Sequence, residues 1–165
     1  MHRIDRLVGI DYGLKRTGLT ASDPLGIFAS ALDTVDSTKL IDYLTKYAEK
    51  ERIIRFVVGY PVNLDGRPAE AQAHVDAFLK VLGKAFPEVP VTLEDERFTS
   101  VLAHRAMIDG GMKTQQRRDK ASVDRISAAI ILQGYLDRMS GGSAAIDPNN
   151  VPESLSVKNT KRRRK

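Results

Sequence analysis

The sequence lacks cysteine and contains few aromatic residues, and both absences exclude certain kinds of site. Without cysteine the protein has no disulfide, no thiolate metal ligand and no cysteine nucleophile. Five tyrosines, five phenylalanines and no tryptophan among 165 residues make base stacking a minor mode of recognition. The longest apolar runs, such as 128–132, are far too short to cross a bilayer, so we expect no membrane partner.

The net charge of +5 comes mostly from the end of the chain. From Ser140 onward there are six basic and two acidic residues, which leaves about +1 for the rest of the protein. A nearly neutral folded part does not by its charge identify a nucleic-acid-binding protein. The segment 1–6 is charged and contains no signal-peptide core, so we expect a cytoplasmic protein.

Apolar periodicity predicts five strands and four helices in the order βββαβαβαα. The strands are expected at 7–10, 17–21, 27–35, 53–59 and 89–94. The helices are expected at 37–51, with Ser37 as N-cap, at 68–85, from 99 or 100 to about 109, and at 122–139. A meander followed by alternating strands and helices predicts an α/β fold with a five-stranded mixed sheet and helices on both faces.

The chain therefore divides into one domain and a tail. Residues 1–139 carry all the predicted elements and form the domain. Residues 140–165 lack apolar periodicity, so we expect a disordered basic tail. The last five residues, 161–165, are all basic and would add sequence-independent affinity for RNA.

Asp11 directly follows the first predicted strand, which is apolar. Strand alternation puts Asp11 on the same face as Leu7 and Gly9, so Gly9 is expected to leave open space beside the acid. A carboxylate at the end of a central apolar strand is costly unless it is paired or metal-bound. The alternative is that Asp11 merely starts the hairpin turn that follows.

The fifth predicted strand runs into three consecutive acids, Glu94, Asp95 and Glu96. Their mutual repulsion favours a nearby cation, and hard carboxylate oxygens suit Mg²⁺ or Mn²⁺. The alternative is a solvated strand end. Strand periodicity does not indicate which of the three would be the ligand.

Asp124 lies near the start of the last predicted helix, on one stripe with Ser127, Ala128, Ile131 and Tyr135. The small Ser127 and Ala128 would let this helix approach the sheet closely. A carboxylate near a helix N-terminus is also favourable to the helix dipole, which is the alternative interpretation. Together, acids from the first strand, a later strand end and the last helix are what a converging metal site requires.

Four segments of the sequence resemble the bacterial family of pre-16S rRNA nucleases of the YqgF type, also described as Holliday-junction-resolvase-like proteins. They are 9–18 (GIDYGLKRTG), 57–66 (VVGYPVNLDG), 95–100 (DERFTS) and 123–132 (VDRISAAIIL). The resemblance covers about residues 5 to 138. The departures are Tyr60, where a smaller or aliphatic residue often stands, Arg125 and the basic tail, and none removes a candidate metal ligand.

The resemblance implies an RNase H-like fold and a magnesium-dependent nuclease. It implies that Asp11, Glu96 and Asp124 are both the metal ligands and the catalytic carboxylates, and it thereby selects Glu96 from the acidic run. It also implies trimming of the 5′ end of precursor 16S rRNA, with the ribosomal small subunit as a partner. We further expect the protein to be a monomer or a weak homodimer.

Polar residues near these acids are candidate substrate contacts. Lys15 and Arg16, in the turn after Asp11, either hold a phosphate or are simply solvated. Asn63 follows a central strand at its carboxyl end, where it either reaches a sugar or phosphate or only stabilises the turn. The loop at 110–120 is expected to clamp substrate, although a plain linker is the alternative. The remaining candidates are all basic: Arg97, Lys113, Arg117, Arg118 and Lys120.

Three functions fit these features. The first is a metal-dependent endonuclease acting on ribosomal RNA precursors. A Holliday-junction resolvase acting on structured DNA would use the same residues and differ only in its substrate. A non-catalytic RNA-binding module for ribosome assembly would retain the fold without needing the acids. A sugar-kinase-like ATP-binding protein is disfavoured, because one domain has no second half to close over a nucleotide and the sequence has no GxxxxGK[ST] loop.

Overall fold

A computed structural model describes residues 2–63, 65, 67, 69–95 and 120–140, except for the side chains of 120–122 and 140. The helix predicted from 99 or 100 to about 109 lies outside these residues. The predicted tail lies outside them too, apart from residue 140, which ends the last helix.

The described part of the chain forms five strands, three α-helices and one 3₁₀ turn. The elements are β1 (Asp5–Asp11), β2 (Arg16–Ser22), β3 (Ala29–Asp36), the 3₁₀ turn (Ser37–Lys39), α1 (Leu40–Lys50), β4 (Arg52–Tyr60), α2 (Ala71–Ala85), β5 (Val91–Asp95) and α3 (Lys120–Ser140). Every strand predicted from periodicity is confirmed, as are these three helices, with boundaries shifted by at most about three residues.

The strands form one mixed sheet in the order β3-β2-β1-β4-β5. The meander β1-β2-β3 is antiparallel, whereas β4 is parallel to β1 and β5 is parallel to β4. β1 is therefore the central strand. The carboxyl ends of β1, β4 and β5 meet at one edge of the sheet, which is where α/β folds place their ligand sites.

Helices cover both faces of the sheet, as predicted. Alternate residues of β1, Val8 and Ile10, belong to the core that β4, α1 and α2 complete through Phe56, Leu44 and Leu82. On the opposite face, Val57 of β4 packs with four residues of α3, namely Ile131, Leu132, Tyr135 and Leu136, with Leu7 at the edge of this cluster. Leu7 thus identifies the face of β1 that α3 covers.

The β2–β3 hairpin turn is built around one carboxylate, as the Asp-Pro-Leu-Gly sequence suggests. Asp23 accepts hydrogen bonds from the backbone N–H groups of Leu25, Ile27 and Phe28 at 3.3, 2.6 and 2.8 Å. The bond from Phe28 contributes most to holding the pKa of Asp23 below its usual value. Gly26 adopts a φ of 68°, in the left-handed region that glycine enters without a steric cost.

The same hairpin is attached to α3 by a side-chain amide. Gln133 accepts from the N–H of Ala29 at 2.8 Å and donates to the carbonyl of Ile27 at 3.0 Å. The Gln133 side chain therefore forms the two hydrogen bonds that a neighbouring strand would form with residues 27 and 29. None of the described helices has the length and apolar character needed to cross a membrane.

Candidate active site

Asp11 is the last residue of the central strand and is half-buried. It lies opposite Gly18 in the antiparallel pair of β1 and β2, and directly opposed residues place their side chains on the same face. Asp11 shares its face with Gly9 and Leu7, so it lies on the face that α3 covers.

Asp124 reaches the same place from the helix side. A Cβ atom built on Gly18 would lie 2.1 Å from the carbonyl oxygen of Asp124 and 3.2 Å from the backbone nitrogen of Arg125. The first part of α3 therefore rests on β2 at a position where only glycine fits. Because Gly18 is also the partner of Asp11, the structure brings Asp11 and Asp124 to neighbouring positions on one face.

The predicted open space beside Asp11 is not present. A Cβ atom on Gly9 would meet the Thr20 methyl carbon at 2.4 Å, Leu132 Cβ at 2.8 Å and the carbonyl oxygen of Ala128 at 3.1 Å. The glycine is thus needed because α3 packs into the space that a side chain would occupy. This contact is the close approach predicted from the small Ser127 and Ala128, both of which are buried.

Arg16 contacts the second carboxylate directly. Its Nε atom donates to Oδ2 of Asp124 at 3.4 Å, and the two side chains are 42% and 26% exposed. Neither sequence interpretation of Arg16, phosphate contact or plain solvation, anticipated this ion pair. Lys15, the neighbouring candidate, is exposed.

The turn that carries Lys15 and Arg16 is fixed by Ser37. Its hydroxyl donates to the carbonyl of Gly13 and lies 2.8 Å from the Thr17 hydroxyl, and its backbone N–H donates to the carbonyl of Lys15 at 3.0 Å. The prediction of Ser37 as the helix N-cap is therefore wrong. The preceding residue, Asp36, has extended backbone and its carboxylate accepts from Thr38 N, so it provides the cap instead.

The acidic run divides into residues with different environments. Glu94 is buried, lies opposite Gly59, and forms an ion pair with Arg138 of α3. Asp95 ends β5 and is exposed. Glu96, the member that the resemblance selects, lies outside the described residues.

Asn63 is exposed in the loop that follows β4, at the edge where the carboxyl ends of β1, β4 and β5 meet. Its backbone N–H donates to the carbonyl of Arg67 at 3.0 Å. The side chain of Asp65 also stabilises this turn, because it accepts from the N–H of Arg67 at 2.9 Å.

The other candidate substrate contacts are not described. Arg97, Lys113, Arg117 and Arg118 lie outside the described residues, and Lys120 begins α3 with a side chain that is also outside them. Within the described part of the chain no three acidic or histidine side chains form a group able to hold a metal ion. Asp11 and Asp124 supply two hard oxygen donors on one face, which suits a Mg²⁺ or Mn²⁺ site completed by a third carboxylate.

Comparison with known proteins gives consistent matches over the domain. The family model RuvX, described as "Holliday junction resolvase", matches residues 5–138. Proteins named "Putative pre-16S rRNA nuclease" from Phocaeicola vulgatus and Christiangramia forsetii are each 48% identical to this chain. The first covers 81% of this chain and 96% of its own length, and the second 79% and 97%.

Solved structures show the same fold at low sequence identity. The structure described as "T. thermophilus RuvC in complex with Holliday junction substrate" aligns with a TM-score of 0.53 at 20% identity, over 84% of this chain and 97% of that one. A second Thermus thermophilus RuvC structure aligns with a TM-score of 0.50 at 16% identity, over 82% and 96%. These alignments confirm the predicted RNase H-like α/β fold.

Proposed function

The chain belongs to the RuvX family of RNase H-like nucleases, and we propose that it is a metal-dependent endonuclease that trims the 5′ end of precursor 16S rRNA. The observation that carries this proposal is the placement of two aspartates about one glycine. Asp11 is the strand partner of Gly18, and the backbone of Asp124 lies against the same glycine on the same face of the sheet.

The proposed metal ligands are Asp11, Asp124 and Glu96. The first two fit a hard cation because they offer oxygen donors from one face of the sheet. Glu96 is assigned because it belongs to the segment 95–100, which resembles a family motif. Bound divalent ions would supply the activation of a water molecule and the stabilisation of the leaving oxygen of the phosphodiester. Mg²⁺ is the proposed ion, with Mn²⁺ as a substitute.

The chain's own residues orient the substrate. Lys15 and Arg16 lie in an anchored turn next to the carboxylates, so a phosphate held there would lie beside Asp11 and Asp124. Asn63 presents a polar side chain from the adjacent edge of the sheet. The proposed contacts from beyond β5 are all basic: Arg97, Lys113, Arg117, Arg118 and Lys120.

The proposed setting is the bacterial cytoplasm, with the ribosomal small subunit as partner and a monomer or weak homodimer as the acting form. The basic tail would add affinity for RNA that depends on salt but not on sequence. A Holliday junction is the second candidate substrate, because the matching family model is described as a resolvase. The same carboxylates would act on either substrate.

A cleavage assay tests the proposal. Wild-type protein with Mg²⁺ or Mn²⁺ is given 5′-extended precursor 16S rRNA in one reaction and a four-way DNA junction in the other. Asp11→Asn and Asp124→Asn should each lower the cleavage rate at least about 100-fold, since even groups that only support a metal ligand are worth 10–100-fold. Asp5→Asn is the matched control, because Asp5 lies at the other end of β1 and pairs with Arg52.

The control should cut like the wild type. Preferential cleavage of the rRNA supports the proposed substrate, and preferential cleavage of the junction replaces it with the second candidate. If Asp11→Asn and Asp124→Asn cut as fast as the wild type, the assignment of the site is wrong. Undiminished ribosome assembly in cells that carry Asp11→Asn would favour the non-catalytic RNA-binding module.

A further inference from the structure

We propose that Arg16 is an internal counter-ion for Asp124. Its guanidinium competes with a divalent cation for the Asp124 carboxylate and moves to a substrate phosphate when the cation binds. The inference rests on the proposed function, because it takes Asp124 as a metal ligand. Its direct observation is the contact of Arg16 Nε with Asp124 Oδ2 at 3.4 Å.

The backbone places both partners of this pair on one face of the sheet. Arg16 and Gly18 are alternate residues of β2 and therefore share a face. Gly18 touches the backbone of Asp124 on that face. Arg16 is thus two residues from Gly18 on the same face, close enough for its side chain to reach the Asp124 carboxylate.

The turn before Arg16 is also fixed. Ser37 binds the carbonyls of Gly13 and Lys15 and contacts the Thr17 hydroxyl. Arg16 itself is the strand partner of Asp36. Any movement of the guanidinium must therefore come from the side chain, whose 42% exposure leaves it room to swing toward solvent.

The charges explain why such a counter-ion is useful. Asp11 and Asp124 are both acidic residues placed about Gly18 on one face of the sheet, and an arginine remains charged at every physiological pH. A divalent cation satisfies the same carboxylates with twice the charge. The guanidinium it displaces has a planar donor fork that matches phosphate oxygens. Cation binding should therefore raise the affinity for nucleic acid, and the coupling must be reciprocal.

The first test measures Mn²⁺ affinity without nucleic acid, by titration followed with electron paramagnetic resonance. Arg16→Ala should bind Mn²⁺ about three- to five-fold more tightly than wild type, the range expected for losing a competing ion pair that is partly exposed. Lys15→Ala is the matched control, since it removes the same charge from the adjacent position of the same turn. Its affinity should change less than about two-fold.

The second test observes the guanidinium itself. In ¹⁵N-labelled protein the Nε–H signal of Arg16 should shift during a Mg²⁺ titration, with the same midpoint as metal binding. The signal of Arg52, whose guanidinium pairs with Asp5 at the far end of β1, is the internal control and should stay unchanged.

The outcomes separate this inference from the proposed function. A wild-type protein that binds no Mn²⁺ overturns both. Wild-type binding that Arg16→Ala does not tighten, or that Lys15→Ala tightens equally, overturns the counter-ion and leaves the nuclease standing. An Arg16 signal that stays unchanged while the metal binds also overturns the counter-ion and leaves the nuclease standing. Tighter binding by Arg16→Ala alone, together with a shift of the Arg16 signal, supports the inference.

Discussion

Gly18 and Asp124 are in backbone contact, with 2.1 Å between the Cβ position of Gly18 and the carbonyl oxygen of Asp124. This distance is far shorter than any real contact of a Cβ atom, so the helix can occupy its place only over a glycine. Since Gly18 is also the strand partner of Asp11, one residue without a side chain fixes where the backbones of both aspartates lie on this face.

Gly18→Ala should therefore impair both stability and activity. The methyl group would push the start of α3 away from β2, at a cost of about 1–3 kcal/mol for overpacking, and should slow cleavage at least about tenfold through the displaced carboxylate. Gly134→Ala, in α3, is the control, because among the described residues no atom beyond the neighbouring backbone of α3 lies within 4 Å of its Cβ position. It should leave cleavage unchanged and raise the free energy of unfolding by about 0.5–1 kcal/mol. A Gly18→Ala enzyme of wild-type rate would contradict the arrangement.

The acidic run should separate into structural and chemical roles. Glu94→Gln breaks the ion pair with Arg138 and should lower the free energy of unfolding by about 1–2 kcal/mol, less than a fully buried pair because Arg138 is 37% exposed. Glu96→Gln should instead abolish cleavage with little effect on unfolding. Urea denaturation and the rRNA cleavage assay measure the two effects. A loss of stability in Glu96→Gln together with normal cleavage would reverse the assignment.

Ser37→Ala should weaken the turn that carries the two basic residues. Loss of the hydroxyl removes its hydrogen bonds to Gly13 and Thr17, and each such bond is worth about 1 kcal/mol. We expect weaker binding of precursor rRNA, measured by fluorescence anisotropy, with a smaller change in the rate of the bound complex. Thr38→Ala is the matched control, since Thr38 bonds only to Asp36 in the same 3₁₀ turn among the contacts found in the described residues. Equal losses in both variants would point to general destabilisation.

The contribution of the β2–β3 hairpin turn to the free energy of unfolding should depend on pH through Asp23. Backbone N–H donors hold its pKa below the usual value in the folded protein, so its stabilising effect is complete above the unfolded pKa of about 3.9 and is lost as pH falls through the folded value. Asp23→Ala should thus be less stable than wild type near neutral pH, and the difference should shrink below about pH 4. Urea denaturation at several pH values measures it.

A matched variant checks the cause of that pH dependence. Gly26→Ala places a side chain at a φ of 68° in the same turn. It should cost about 1 kcal/mol at every pH, because strain does not titrate. A difference between Asp23→Ala and wild type that stays constant down to pH 3 would show that the carboxylate does not act through its charge.

Strand and helix periodicity predicted the sheet, and alternation predicted the face of Asp11. The role of Gly18 was not predicted, because it depends on where a helix more than a hundred residues later meets the strand. A glycine inside a strand was the available signal, since it often marks close backbone approach. Gly9 was expected to leave open space beside Asp11, but its missing side chain makes room for Leu132.

Side-chain partners were harder to predict than backbone elements. Ser37 and Asp36 both suit a helix N-cap by residue type, and only the position of the β1–β2 turn decides that Ser37 bonds to that turn instead. The partner of Arg16 depends likewise on the crossing of α3 over β2. Glu96 was selected by family resemblance alone, because strand periodicity treats the three consecutive acids alike.

The central claim is that Asp11 and Asp124 bind one metal centre. The most direct measurement is an anomalous difference map from crystals of the protein soaked in Mn²⁺. The account predicts a peak within about 2.5 Å of an oxygen atom from each of these two carboxylates. A strong Mn²⁺ peak elsewhere, with neither carboxylate in its coordination shell, would contradict it.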